Sequence, residues 1–301
     1  MKVDSLYRSF KALGSKVILT VVAENAATAN NLLTELERQI DVFEQRFSRF
    51  RSDSELTGVN QSAGRRVRIS PDFFRLLSAA IKYAKISDYL YNPLILPSLQ
   101  QAGYRFSWTE PGQSDTSLLY IGRRLASVSE IELTDNWVKI PNQTALDFGG
   151  IGKGYLLDEL AAYAQPLTDS FWFSLGGDII AAGLNADNQA NLIGIQHATK
   201  PEEVVDHFEI GSDITAIATS GITKRQGPGW HHLIDPRTGQ PAVTDLLTVS
   251  AVFDQATAAD VLAKCAVIAG SDKAWPYLKQ RGASAAVLQR ANGDQVEIIK
   301  H

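Results

Sequence analysis

The run Asp147-Phe148-Gly149-Gly150-Ile151-Gly152-Lys153-Gly154 sets four glycines and a lysine just before the helical pattern GYLLDELAAYA. A strand-to-helix junction of this kind presents free backbone N–H groups and the positive end of a helix dipole, which suits a phosphate. It is not a Walker A loop, because Asp147 stands at the first glycine position and Gly154 where a Ser or Thr is needed. The dinucleotide spacing G-x-G-x-x-G also fails, since Tyr155 replaces the third glycine. A tight packing turn accounts for the same glycines, so the spacing leaves both readings open.

Three further groups carry chemistry. Ser174-Leu175-Gly176-Gly177-Asp178 follows an apolar run and places one carboxylate at a tight turn; alone, it reads as a hairpin. Ala218-Thr219-Ser220-Gly221, Lys224-Arg225 and His231-His232-Leu233-Ile234-Asp235-Pro236-Arg237-Thr238-Gly239 gather hydroxyls, cations, two imidazoles and a carboxylate, a set able to bind phosphate and move a proton. The bland alternative for the last run is a proline-led turn with solvated histidines. Asp260 lies one helical turn before Lys264, and a lone helix carboxylate of that kind reads as a surface residue.

These residues need elements to position them. Leu32, Leu33, Leu36, Ile40, Phe43 and Phe47 recur at three- and four-residue steps, predicting a helix with one buried stripe. Before it, SKVILTVVAE reads as a strand; after it, SRFRSDSELTGVNQSAG reads as polar turn. Ser70-Pro71 predicts a capped helix start with an apolar face of Phe74, Leu77 and Ile81. Short strand-like runs (SEIEL, WVKI, FWFSL, NLIGI, LLTVSAVF, SAAVLQ, VEII) alternate with helices at GYLLDELAAYA and ATAADVLAKCAVIAG. Mixed order of this kind points to an α+β fold rather than a doubly wound sheet. Nothing marks a linker, so one domain over residues 1–301 is expected, with two intimately packed subdomains as the open alternative.

Of the 301 residues, 45% are hydrophobic, ample for a large core. A formal net charge of -4 lacks the basic footprint of a nucleic-acid binder. Cys265 is the only cysteine, which excludes an intramolecular disulfide and any thiolate metal cluster. The N-terminal stretch carries scattered charges and only the short apolar run Val17 to Val22, neither a signal segment nor a span, so the protein reads as cytoplasmic, with an already removed signal peptide as the open alternative.

Taken in order, ALGS, FSRFRSDSELTGVN, DFGGIGKGY, SLGGDI, NLIGIQ, AIATSG, HHLIDPRTGQP and ADVLAKCAVIAG closely resemble the ApbE family of FAD:protein FMN transferases. The resemblance implies an α+β fold of mixed or antiparallel sheets flanked by helices, with FAD in a central cleft and Mg2+ at its diphosphate. It implies FMN transfer to a Thr or Ser of a target flavoprotein, with AMP released. By position it implies FAD contacts at Leu13, Phe50, Leu90, Tyr91, Asn92, Asp147, Lys153 and Ile234, metal ligation at Asp260 and through the Gly150 carbonyl, and His232 as the acceptor of the hydroxyl proton.

Departures from the family pattern bear on the chemistry. Lys264 replaces the usual threonine ligand four residues after Asp260; an ammonium cannot coordinate Mg2+. Either it stands in for part of the metal's charge, or it points away and carbonyls with water complete the shell. Asn92 replaces an aspartate, and Tyr89 a glycine. Transfer to a protein, FAD hydrolysis to FMN and AMP, and FAD binding without turnover all remain open at the level of sequence.

Overall fold

The structure, a computed structural model, describes residues 4–105, 126–291 and 296–300. The β-branched, largely apolar run Ser15–Ala23 (β2) is a strand whose alternate residues Val17, Leu19, Val21 and Ala23 are buried. It pairs with Asp4–Ala12 (β1) through a two-residue turn, Leu13-Gly14, with φ of 53° and 63°. Two left-handed residues match the turn to the twist of the hairpin.

Six further strands extend this hairpin: Ser170–Leu175 (β3), Asp178–Ala182 (β4), Thr215–Gly221 (β5), Leu246–Phe253 (β6), Ala285–Arg290 (β7) and Val296–Lys300 (β8). The eight lie in chain order, and every neighbouring pair is antiparallel. A separate hairpin, Asn191–Gln196 with Val204–Ile210, covers one face of the sheet, where Ile193, Ile195, Phe208 and Ile210 meet Ile179, Ile217, Val252 and Val287. The alternate residues Ala216, Ala218, Val249 and Ala251 are buried as well, so both faces are covered.

Seven helices are described: Ala26–Phe47 (α1), Glu55–Gln61 (α2), Pro71–Ile86 (α3), Leu96–Ala102 (α4), Gly152–Ala164 (α5), Ala256–Ala269 (α6) and Ser271–Lys279 (α7). Helix α6 packs on β5 and β6. None of the described helices is long and apolar enough to cross a membrane. The α+β class expected from the sequence is the class observed.

The chain forms two compact units. A sheet unit comprises Met1–Val42, Lys153–Gly221 and Thr244–His301; a helical unit comprises Phe43–Gly152 and Ile222–Val243. The helical unit is thus two insertions into the sheet, between β2 and β3 and between β5 and β6. Its core includes a ring triad in which Phe73 stands 6.0 Å from Phe47 and 5.6 Å from Phe148.

Two local expectations are corrected. The segment read as polar turn contains α2, started by Ser54, whose side chain accepts the Thr57 N–H at 3.0 Å. Its buried Leu56 and Val59 are too few to show a period. Helix α3 begins at Ser70-Pro71 as expected, but buries Phe73, Leu76, Leu77, Ala80 and Ala84 rather than a face centred on Phe74, Leu77 and Ile81. The ring triad fixes this rotation, which the adjacent apolar pairs Phe73-Phe74, Leu76-Leu77 and Ala80-Ile81 had left undetermined.

Candidate active site

In the sheet unit, chemistry gathers where two turns and two helices meet. The β3–β4 turn, Gly176-Gly177, has φ of 65° and 96° and delivers Asp178 into the interior. Where a Cβ on Gly176 would project, Ser15 Oγ lies 2.7 Å away, so the Leu13-Gly14 turn runs beside it. Lys153, in the first turn of α5, donates from Nζ to Asp178 Oδ2.

Asp260 is buried at 4% exposure, which overturns its reading as a surface carboxylate. Its Oδ1 accepts Lys264 Nζ at 2.7 Å and its Oδ2 accepts the Gly154 N–H at 3.1 Å. The Lys264 ammonium also donates to the Asp260 carbonyl oxygen. Gly154 makes this approach possible: a Cβ there would fall 2.4 Å from the Ala256 carbonyl oxygen and 2.8 Å from Asp260 Cβ. Nearby, Asp158 accepts the N–H groups of Ala256 and Thr257 at 2.7 and 2.9 Å, capping α6 in place of Gln255, whose side chain makes no cap bond. Burial raises the Asp158 carboxyl above the usual range against those bonds.

The two acids of the cluster titrate in opposite directions. Burial pushes the Asp178 carboxyl up, against the pull of the Lys153 ammonium. Asp260 bears the same burial, yet the ammoniums of Lys264 and Lys153, with the Lys264 and Gly154 hydrogen bonds, hold it below the usual range.

The helical unit holds a different constellation, organised by a residue that the sequence did not single out. The Arg49 guanidinium, 6% exposed, meets Asp147 Oδ2 through Nε at 2.8 Å and the Tyr104 carbonyl through Nη2 at 3.2 Å. It lies 4.2 Å from the Phe50 ring centre and 4.7 Å from that of Tyr104. Its Nη1 is buried and has no hydrogen-bond partner among the described residues. Asp147 Oδ1 accepts the Gly149 N–H at 2.7 Å, tying the glycine turn that carries Gly150 to the same carboxylate.

Tyr104 extends this surface. It lies 6.4 Å from Phe50, stacks at 6.4 Å on Trp230, and meets the His232 ring edge-on at 6.4 Å. The His232 N–H bonds the Arg225 carbonyl at 3.2 Å, which fixes its backbone. Its neighbour His231 contacts the Ala242 carbonyl through Nε2 at 3.0 Å, and burial lowers its pKa against that bond. Ile234 is buried in the two-residue strand Ile234–Asp235, paired with Gln240–Pro241. Between these strands Asp235 accepts the Arg237 N–H at 2.9 Å, so DPRTG is the turn its composition suggested.

The segment Leu90-Tyr91-Asn92 leads to Pro93, whose carbonyl accepts the Asp147 N–H at 2.8 Å. Leu90 is half-buried and Tyr91 buried. Both ends of the Asn92 amide bond backbone: Oδ1 accepts the Leu94 N–H and Nδ2 donates to the Ala126 carbonyl, each at 2.9 Å. An ionised aspartate has no N–H and could not make the second bond. Tyr89 has a φ of 61° in a region that favours glycine.

The arrangement defines an α+β protein with a buried ammonium–carboxylate cluster and an aromatic shelf bearing a histidine. The same fold is seen in the ApbE protein of Thermotoga maritima, with a TM-score of 0.84 at 22% identity over 98% of this chain and 97% of that one. It is seen again in the flavin transferase ApbE of Vibrio cholerae, with a TM-score of 0.82 at 22% identity over 98% and 97%. The ApbE family model matches residues 13–288, and the chain belongs to that family. Among its relatives, the FAD:protein FMN transferase of Haemophilus influenzae is 25% identical over 97% of this chain and 88% of its own length. That of Treponema pallidum is 30% identical over 86% and 75%.

The Mg2+ that the resemblance implied does not fit the residues at Asp260. Both carboxylate oxygens already accept hydrogen bonds, one from an ammonium. The ammonium already occupies the cation side of Oδ1, and its charge repels a divalent ion there. Among the described residues, no three His, Cys, Asp or Glu side chains converge as a metal-ligand set.

Proposed function

We propose that this protein is an FAD:protein FMN transferase. The observation that carries the reading is the extent of the family match, residues 13–288, which takes in the motifs of both units, together with relatives of that one activity over 97% and 86% of the chain.

The reaction joins FAD and a protein hydroxyl to give a protein–FMN phosphodiester and AMP. The hydroxyl oxygen of a Thr or Ser attacks the FMN-side phosphorus, the bond from that phosphorus to the bridging oxygen breaks, and AMP leaves with the bond's electrons. The hydroxyl proton goes to His232, an imidazole able to take it near neutral pH. FAD makes two chemical demands, flat rings and an anionic diphosphate. Phe50, Tyr104 and Trp230 supply aromatic faces suited to the first, and family resemblance assigns further FAD contacts to Leu13, Leu90, Tyr91 and Ile234. Lys153 supplies a positive charge suited to the second. Asp147 acts by holding Arg49 and the Gly149 amide.

The acceptor is a flavoprotein domain with an exposed Thr or Ser. The test is AMP release from FAD by the purified protein, with and without an FMN-accepting domain, alongside in-gel flavin fluorescence. Acceptor-dependent AMP with a fluorescent acceptor band is expected. AMP released equally without acceptor would make the protein a hydrolase instead.

A further inference from the structure

The sheet-unit cluster contains two carboxylates, Asp178 and Asp260, and two ammoniums, Lys153 and Lys264. All four side chains are under a fifth exposed, with 19% and 6% for Lys153 and Asp178 and 13% and 5% for Lys264 and Asp260. The formal charges cancel. Removing Lys264 would leave one uncompensated buried carboxylate, a state that calls for a cation.

Lys264 is placed for that duty by helix geometry. Four residues after Asp260 it lies on the same face of α6, and its ammonium reaches both Asp260 Oδ1 and the Asp260 carbonyl oxygen. These are oxygens of the kind a hard cation would take, and a single ammonium holds both of them. The other carboxylate oxygen is fixed by the Gly154 amide of α5, so the cation position is anchored from two helices.

We propose that Lys264 permanently holds the cation position of this cluster, so that the protein binds FAD and transfers FMN with no divalent metal. The identity of the nucleotide rests on the function proposed above. Lys264 and Lys153 are the two cations of the cluster, and Asp260 orients Lys264.

The experiment compares wild type with Lys264→Thr, which removes the ammonium and supplies a hydroxyl oxygen. FAD affinity by flavin fluorescence and Mn2+ binding by electron paramagnetic resonance on the FAD-loaded protein are measured beside transfer, in EDTA and in millimolar Mg2+. Wild type is expected to bind FAD with similar affinity in both buffers, to hold no Mn2+ beyond that of free FAD, and to transfer equally in EDTA. Lys264→Thr is expected to lose about tenfold or more in FAD affinity in EDTA and to regain it with Mg2+. Stoichiometric Mn2+ on the wild-type complex, an FAD affinity that requires Mg2+, or no FAD binding in either buffer overturns the proposal. Absence of transfer with FAD binding intact removes the transferase reading instead, and the affinity and Mn2+ results still decide the role of Lys264. If Lys264→Thr does not fold, the wild-type measurements alone decide it.

Discussion

The two units use charge in opposite ways. In the sheet unit, four ionised side chains neutralise one another within a frame of backbone bonds, with Gly154 and the Gly176-Gly177 turn holding them close. In the helical unit, one guanidinium lies against aromatic faces with a single carboxylate partner, and one of its nitrogens is left without a bond among the described residues. Paired charges in a rigid backbone frame hold one another at fixed positions. A cation spread beneath rings suits a flat aromatic ligand, because stacking needs a surface more than a set of bonds.

Four measurements would break or sharpen this contrast. His232→Ala is expected to slow FMN transfer by about 10²–10⁴, the contribution of a general base, while FAD affinity stays near wild type. Undiminished transfer would remove the imidazole from the reaction. Arg49→Ala strands the buried Asp147 and should lower unfolding free energy by about 3–5 kcal/mol, read as a shifted urea midpoint with unchanged slope. A midpoint that does not move would mean that the helical unit does not depend on this ion pair.

Gly154→Ala tests the sheet unit by shape rather than charge. Its Cβ would meet a carbonyl oxygen at 2.4 Å, so a loss of about 1–3 kcal/mol is expected in the same assay, with weaker FAD binding as Asp260 and Lys264 shift. If stability and affinity both hold, the approach of α5 to α6 does not organise the cluster. The smallest effect concerns His231. Its pKa is lowered on folding, so the unfolded chain takes up the proton first; stability is full above the ordinary imidazole value near 6.5 and falls as pH drops below it. Melting temperatures from pH 7.5 to 5.5 should fall less for His231→Gln than for wild type, and parallel curves would show that burial of this ring is not felt.

Much of the fold was legible because periodicity reports burial. The stripe of α1, the Ser70-Pro71 start of α3 and the run that became β6 could be read from apolar spacing and cap chemistry alone. Helix α2 could not, being seven residues long with little periodic content. The site was legible as motifs but not as contacts. Asp260 looked like a surface carboxylate because a helix position says nothing of what lies against it, and Arg49 lay unremarked within FSRF although it is the hub of its cluster. Neither Tyr104 nor Trp230 sits in a pattern that separates a shelf aromatic from a core one.

Sequence alone determined the family, the α+β class and the unusual lysine four residues past Asp260, since each is a matter of residue type and spacing along one chain. Only the tertiary structure decided what that lysine does. Whether an ammonium turns to solvent or onto Asp260 depends on the Gly154 amide, 106 positions away in the chain, fixing the other carboxylate oxygen and on the burial that makes an unpaired charge costly.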